Sequence, residues 1–262
     1  MNNKAKFFLP CYIFGPFFGE ASWEYFRFAP YAIHLKKENP KHKLIVFTRP
    51  SRFDFYGQYS DILVPLFIEN DNLEKQRAFA FTDITETYCK RVADQIRITY
   101  KNRFDDIRHF YPDISALRYN LKWQFPRDKM NYDFIPRKPN SKLMDSLVYN
   151  TRLVIVDSGY EFKTKEYRVI HIDDFKYNLE NKVDDKNLTY YGCLIELIKR
   201  SLFVVSDLTS DVGRLALLLK TPLIYPNRKI SNDAVHLFNP LKTTVIDCEN
   251  IQDGVIVYEN IV

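Results

Sequence analysis

The sequence predicts an α/β chain of two small Rossmann-like αβα halves, 1–140 and 141–262, facing each other across a cleft. Three observations predict this. Residues 6–14 (KFFLPCYIF) are a continuous apolar run, the pattern of a strand buried on both faces. A glycine-bearing turn, a helical stretch and a second apolar run follow, which together describe a parallel βαβ unit. The same alternation restarts near residue 152, after a stretch holding Pro112, Pro126, Pro136 and Pro139.

Each element has its own warrant. From about Ala21 to Lys37 the residues Trp23, Phe26, Ala29 and Ile33 fall near helical spacing, and Pro30 predicts a kink. Residues 43–48 (KLIVFT) and 61–68 (DILVPLFI) read as strands. From Asp83 to about Phe110 a helical stripe runs through Ile84, Tyr88, Val92, Ile96, Tyr100, Phe104 and Ile107, opened by Asp83 with Glu86 behind it. In the second half, 152–156 and 168–172 read as strands and 188–200 as an amphipathic helix. A strand at 202–205, a helix at 210–220 and strands at 222–225 and 243–247 complete the pattern.

Composition bounds the function. At 262 residues with 46% hydrophobic content the chain can bury a sizeable core. The net charge of +5 permits an anionic partner, but the basic residues are less dense than in a dedicated DNA-binding module. Cys11, Cys89, Cys193 and Cys248 form no C-x-x-C pair and read as buried thiols of a reducing compartment. With no signal-peptide pattern and no 18-residue apolar run, the expectation is a cytoplasmic protein without a membrane span. Only 7 glycines occur, so each is suspected of sitting where nothing larger fits.

Three loops hold residue types suited to chemistry. The first runs from Gly15 to Glu20, where the opening strand meets the first helix. In open α/β sheets, ligands bind beyond the carboxyl ends of the strands, where helix N-termini point N–H groups at anions. Gly15 and Gly19 allow close backbone approach there, and Glu20 suits a general base. The plainer reading makes Gly19 a turn residue and Glu20 a helix-dipole partner. The second loop, Ser206-Asp207-Leu208-Thr209-Ser210-Asp211, opens a helix holding Gly213 and Arg214. It reads either as a phosphate cradle or as an ordinary N-cap, and Gly213 points to the close approach of some other group. In the third, Lys163 and Lys165 follow Asp157-Ser158-Gly159 and either reach a pyrophosphate or are solvated.

Arg49 and Arg52 follow the second strand and either hold an acceptor anion or lie on the surface. His34 and His42 read as solvated, His109 sits in an aromatic stretch, and His171 reads as a core histidine. His236 lacks metal-ligand spacing. No G-x-S-x-G, H-E-x-x-H, Walker A or G-x-G-x-x-G motif occurs.

With both halves laid out, the chain resembles the GT-B glycosyltransferases, particularly the heptosyltransferase-like group. That group opens with a buried strand, a Gly-Asp turn, a proline-bearing helix and a strand ending in a basic residue. Here the order is KFFLPCYIF, Gly19-Glu20, the helix with Pro30, then KLIVFTRP. The segment Gly19, Glu20, Trp23, Glu24 also looks like uncharacterised phage and bacterial sugar-transferase-like proteins. In the second half, Thr209-Ser210-Asp211, then Arg214-Leu215-Ala216 and Thr221-Pro222, stand where the family has an Asp-Thr-Gly-type turn, His-Leu-Ala and Thr-Pro. Asp211 replaces the family glycine and Arg214 the histidine, a departure that touches the donor grip.

The resemblance implies transfer of a sugar from a nucleotide-sugar donor to an acceptor hydroxyl, by inverting displacement without a metal or other cofactor. Glu20 falls on the family's catalytic Asp. Gly15, Gly19, Trp23, Glu24, Arg49 and Arg52 would lie on the acceptor side; Lys163, Lys165, Ser206, Thr209, Ser210, Asp211 and Arg214 would hold the donor. The acceptor is either a glycan or a hydroxymethylated base in phage DNA, against which Trp123, Phe125 or Tyr132 would stack. A non-catalytic nucleotide- or sugar-binding protein on the same fold is the alternative.

Overall fold

The computed structural model describes residues 10–17, 21–66, 83–104, 106–112, 125–136, 152–182, 189–226 and 239–262. The chain divides into two compact units, Met1–Arg137 and Lys138–Val262. Each is built on one parallel sheet.

In the first unit the strands are β1 (Cys11–Phe14), β2 (Lys43–Thr48), β3 (Ile62–Pro65) and β4 (Ile107–Phe110). Their spatial order is β3-β2-β1-β4. The chain therefore leaves β1 toward β2 on one side and returns to pair β4 on the other, which makes β1/β4 the topological switch point. All four residues of β1 are buried, as its unbroken apolar run requires. On one face Cys11, Ile13, Ile45 and Phe47 pack with Ile96 of α2 (Asp83–Lys101) and with Phe104. On the other, Phe14 stacks on Phe110 at 4.7 Å between ring centres, and Phe125 lies on Tyr31 at 4.3 Å.

The first helix, α1, opens as Ala21–Trp23, widens into a π-helical turn over Glu24–Phe28, and continues as Ala29–Glu38. Proline in a helix removes one N–H and crowds the preceding turn. Here the ladder ahead of Pro30 is rearranged: Ala29 N–H donates five residues back to the Glu24 carbonyl. The expected kink is thus taken up as a local change of helix type.

Sequence periodicity also ran one helix too far. α2 stops at Lys101, and Ile107–Phe110 are strand β4, paired in register with Cys11–Phe14. Phe104 and Ile107 match helical spacing by coincidence, and both instead join the apolar cluster under the sheet. Phe125 and Tyr132, proposed above as base-stacking rings, are 6% and 7% exposed. They are core residues, with Tyr132 also bonded to the Phe26 carbonyl, so neither offers a face to a base. Trp123 lies outside the described residues.

The second unit has strands β5 (Leu153–Val156), β6 (Arg168–His171), β7 (Phe203–Val205), β8 (Leu223–Tyr225) and β9 (Val245–Asp247) in the order β6-β5-β7-β8-β9. Its switch point lies between β5 and β7. Val154, Val156, Phe203 and Val205 pack on Val255 and Tyr258 of the last helix, α6 (Ile251–Ile261). Alternate residues turn to α4 (Tyr190–Arg200) and α5 (Asp211–Leu218), whose Leu194, Ile198, Leu215 and Leu218 are buried. Helix α6 and helix α3 (Ile172–Lys182) were not anticipated from the sequence.

Candidate functional site

Polar and ionisable side chains gather at the carboxyl end of each sheet. In the second unit the first residue after β5 is Asp157 and the first after β7 is Ser206, 6% and 0% exposed. Ser206 Oγ donates to Asp157 Oδ2 at 2.6 Å and so spans the switch point. Asp157 Oδ1 in turn accepts from Ser158 N–H at 2.8 Å.

The loop from β7 to α5 is organised by Asp207. Its Oδ1 accepts from Thr209 N–H at 2.7 Å, Thr209 Oγ1 at 2.6 Å and Ser210 N–H at 3.0 Å. Ser210 caps α5 by accepting from Val212 N–H at 3.0 Å. The N–H groups of Thr209, Ser210 and Val212, expected to face a phosphate, are therefore engaged inside the loop, with the Asp207 carboxylate standing where an anion would. Asp211 accepts from the Tyr191 hydroxyl at 2.7 Å. Gly213 also has a local reason: a Cβ there would stand 2.1 Å from the Asp207 carbonyl oxygen. The group that approaches Gly213 closely is the loop's own backbone.

The three donor-side cations have different settings. Arg214 Nε donates to the Leu208 carbonyl at 2.8 Å, bracing the same loop. Lys163 is exposed, 3.9 Å from Glu161, and Lys165 is exposed as well. The carboxyl end is otherwise acidic. Burial, followed by Asp207, pushes the Tyr160 hydroxyl up to about 12. Tyr190 is raised first by burial, then by Asp157, Asp211 and Asp173. Such carboxylates suit hydroxyl donors, as ribose and sugars are.

In the first unit Gly15 follows β1 with φ +100°, and a Cβ would stand 2.2 Å from the Phe47 carbonyl oxygen. The strand beside it, not a ligand, requires glycine there. Its carbonyl lies 2.6 Å from His109 Nε2 on β4, across the β1/β4 switch point. Trp23 is half-buried, with the Arg27 guanidinium 3.8 Å from its ring centre. Trp23 and Tyr111 both pack on the buried Cys89. Glu20 and Gly19 lie outside the described residues.

Glu24, Arg49 and Arg52, expected on the acceptor side, all lie in the interior of the unit. Glu24 is 0% exposed and accepts from Thr48 Oγ1 at 2.5 Å, Tyr56 OH at 2.8 Å and Arg52 Nη1 at 3.2 Å. It locks α1 to the end of β2 from inside the unit. Burial raises its carboxyl above the ordinary range, and Arg52, Thr48 and Tyr56 work against that rise. Arg49 and Arg52 are 4% and 5% exposed, so both are interior residues and not surface arginines. Among the described residues no group of three or more His, Cys, Asp or Glu could hold a metal ion. Nor is any helix there long and apolar enough to cross a membrane.

With these two sheet ends in view, comparison with solved structures defines the fold. A glycosyl transferase family 9 structure from Veillonella parvula matches with a TM-score of 0.50 over 98% of this chain and 89% of that one, at 10% identity. The chain has the two-unit α/β fold of that glycosyl transferase. The E. coli heptosyltransferase WaaC with ADP matches at 0.46 over 92% of this chain and 93% of that one, with 10% identity. E. coli ADP-heptose lps heptosyltransferase II gives 0.42 over 97% of each chain, with 12% identity. No protein-family model matches the sequence, and neither does any curated protein.

The sequence singles out the loops after β1, β5 and β7, but not the two residues whose hydrogen bonds span the switch points, Asp157 after β5 and His109 on β4. An Asp directly after a buried strand was the available signal for the first.

Proposed function

We propose that the chain transfers a sugar from a nucleotide-sugar donor to an acceptor hydroxyl. The observation that carries this reading is the Asp157–Ser206 pair at the second unit's switch point, beside the N-terminus of α5. The shared fold with a glycosyl transferase supports it. In this reading the acceptor oxygen attacks the anomeric carbon as the bond to the diphosphate breaks. Glu20 takes the hydroxyl proton, and configuration inverts. Lys163, Lys165 and Arg214 meet the negative charge on the leaving diphosphate. Asp157 accepts a hydrogen bond from a ribose or sugar hydroxyl.

A thermal-shift panel of UDP, GDP, ADP and CMP sugars tests the donor. One nucleotide family should raise the melting temperature, and a flat response across the panel refutes the reading. Glu20→Gln then separates enzyme from binding protein: turnover falls while the donor-induced shift remains. A glycan acceptor is favoured over DNA, because the described rings assigned to base stacking are buried.

A further inference from the structure

We propose that His109 receives a hydroxyl group of the sugar acceptor, accepting its hydrogen on Nδ1. The proposal rests on the transferase reading and adds a specific contact to it.

The hydrogen bond to Gly15 fixes the chemistry of the ring. A carbonyl oxygen can only accept, so at 2.6 Å the proton must sit on Nε2. In neutral imidazole the other nitrogen then carries a lone pair. No other described group hydrogen-bonds the ring, and His109 is partly exposed. The Nδ1 lone pair is thus held ready by a backbone atom, at the position in a parallel sheet where ligands gather. Trp23 and Tyr111, also partly exposed, pack together on Cys89, and the Tyr111 ring centre is 5.4 Å from that of His109. Apolar ring faces beside a hydrogen-bond acceptor match a sugar, which has C–H faces and hydroxyl edges.

The surroundings keep the ring neutral. Burial lowers its pKa below the ordinary histidine value, while the Gly15 carbonyl opposes that shift. Arg97 and Asp94, both on α2, act on it with opposite signs and lie 3.8 Å apart. Among the described residues the Tyr111 ring also packs on His109, and Tyr111 in turn packs on the buried Cys89, whose thiol donates to the Pro16 carbonyl. Protonation at low pH would turn Nδ1 from acceptor into donor and reverse the sense of the bond to the hydroxyl, whose oxygen would then accept.

Two measurements test this on the full chain. Long-range nitrogen–proton NMR of the imidazoles should show His109 as the Nε2–H tautomer, titrating below about 6.5. An Nδ1–H tautomer, or a midpoint at or above that value, overturns the proposal. The same sample titrated with methyl α-D-glucopyranoside and methyl α-D-mannopyranoside reads binding without turnover. His109 signals should move near pH 7.5, where the ring is neutral, and stillness there overturns it.

Kinetics then separates contact from scaffold. His109→Phe should raise the acceptor KM about tenfold with kcat nearly unchanged. In His109→Gln the amide can donate to Gly15 and its carbonyl can accept the hydroxyl, so acceptor binding should survive. A fall in kcat at constant KM, or a Gln variant whose acceptor KM is no better than that of the Phe variant, would sink the assignment. Should wild type turn over no nucleotide sugar, the transferase reading fails by itself, and the NMR titrations still decide the ring.

Discussion

Ser206 Oγ reaches Asp157 Oδ2 at 2.6 Å, joining the residue after β7 to the residue after β5 where the second sheet reverses its winding. Both side chains are buried, so the bond is made where water cannot replace it. It ties the two loops that flank the proposed donor position into one unit.

Removing that bond has a defined cost. Ser206→Ala leaves a buried carboxylate short of a donor and should destabilise the protein by about 1–3 kcal/mol. Urea unfolding measures it, and an unchanged midpoint would mean the bond contributes nothing.

Gly213→Ala places a methyl group 2.1 Å from the Asp207 carbonyl oxygen, inside van der Waals contact. The backbone of the loop must shift, at a cost of about 1–3 kcal/mol. Alanine normally favours a helix over glycine, so a stabilised variant would contradict the packing described.

Glu24 and Arg52 should show strong coupling. Replacing either alone removes the ion pair and leaves the other side chain in the interior without it, at about 3–5 kcal/mol each. The double variant Glu24→Leu with Arg52→Met should lose much less than the sum, and simple additivity in a double-mutant cycle would refute the pairing.

The histidine makes a separate pH claim. His109 has a lowered folded pKa, so its stability contribution is present above the unfolded value of about 6.5 and lost as pH falls through the folded one. The melting temperature of His109→Gln should therefore drop less than that of wild type between about pH 7 and 5. Parallel curves would show that the ring does not titrate as described.

Lys163→Ala and Lys165→Ala should leave stability within about 0.5 kcal/mol, since both side chains are exposed. Weaker nucleotide binding by the double variant would place them on the diphosphate. Undiminished binding would remove them from the site.

Much of the architecture was legible in the sequence, because buried parallel strands announce themselves as apolar runs. Residues 43–48 were read with the strand bounds they have. β4 was hidden because Ile107 continues a helical stripe, and only pairing with β1 shows it as a strand. The loops were located by the glycines and helix starts that bound them. Their hydrogen bonding was not legible, because Asp207 serving its own loop and a ligand-binding Asp look alike in sequence. Glu24 misled for a related reason, since a charged residue in a promising motif gave no sign of complete burial.

The π-helical turn at Glu24–Phe28 sets the phase between the two ends of α1. It holds a residue more than an α-helical turn would, and successive helical residues are about 100° apart. Deleting one residue from it would restore plain α-helix and rotate everything ahead of it by that angle. The segment Ala29–Glu38 could keep its packing on the sheet throughout. The residues from Ala21 to Phe28 could not: all five residues of the turn are buried and Glu24 is tied to Thr48, Tyr56 and Arg52, so the extra residue is what lets that stretch and Ala29–Glu38 meet the core at the same time.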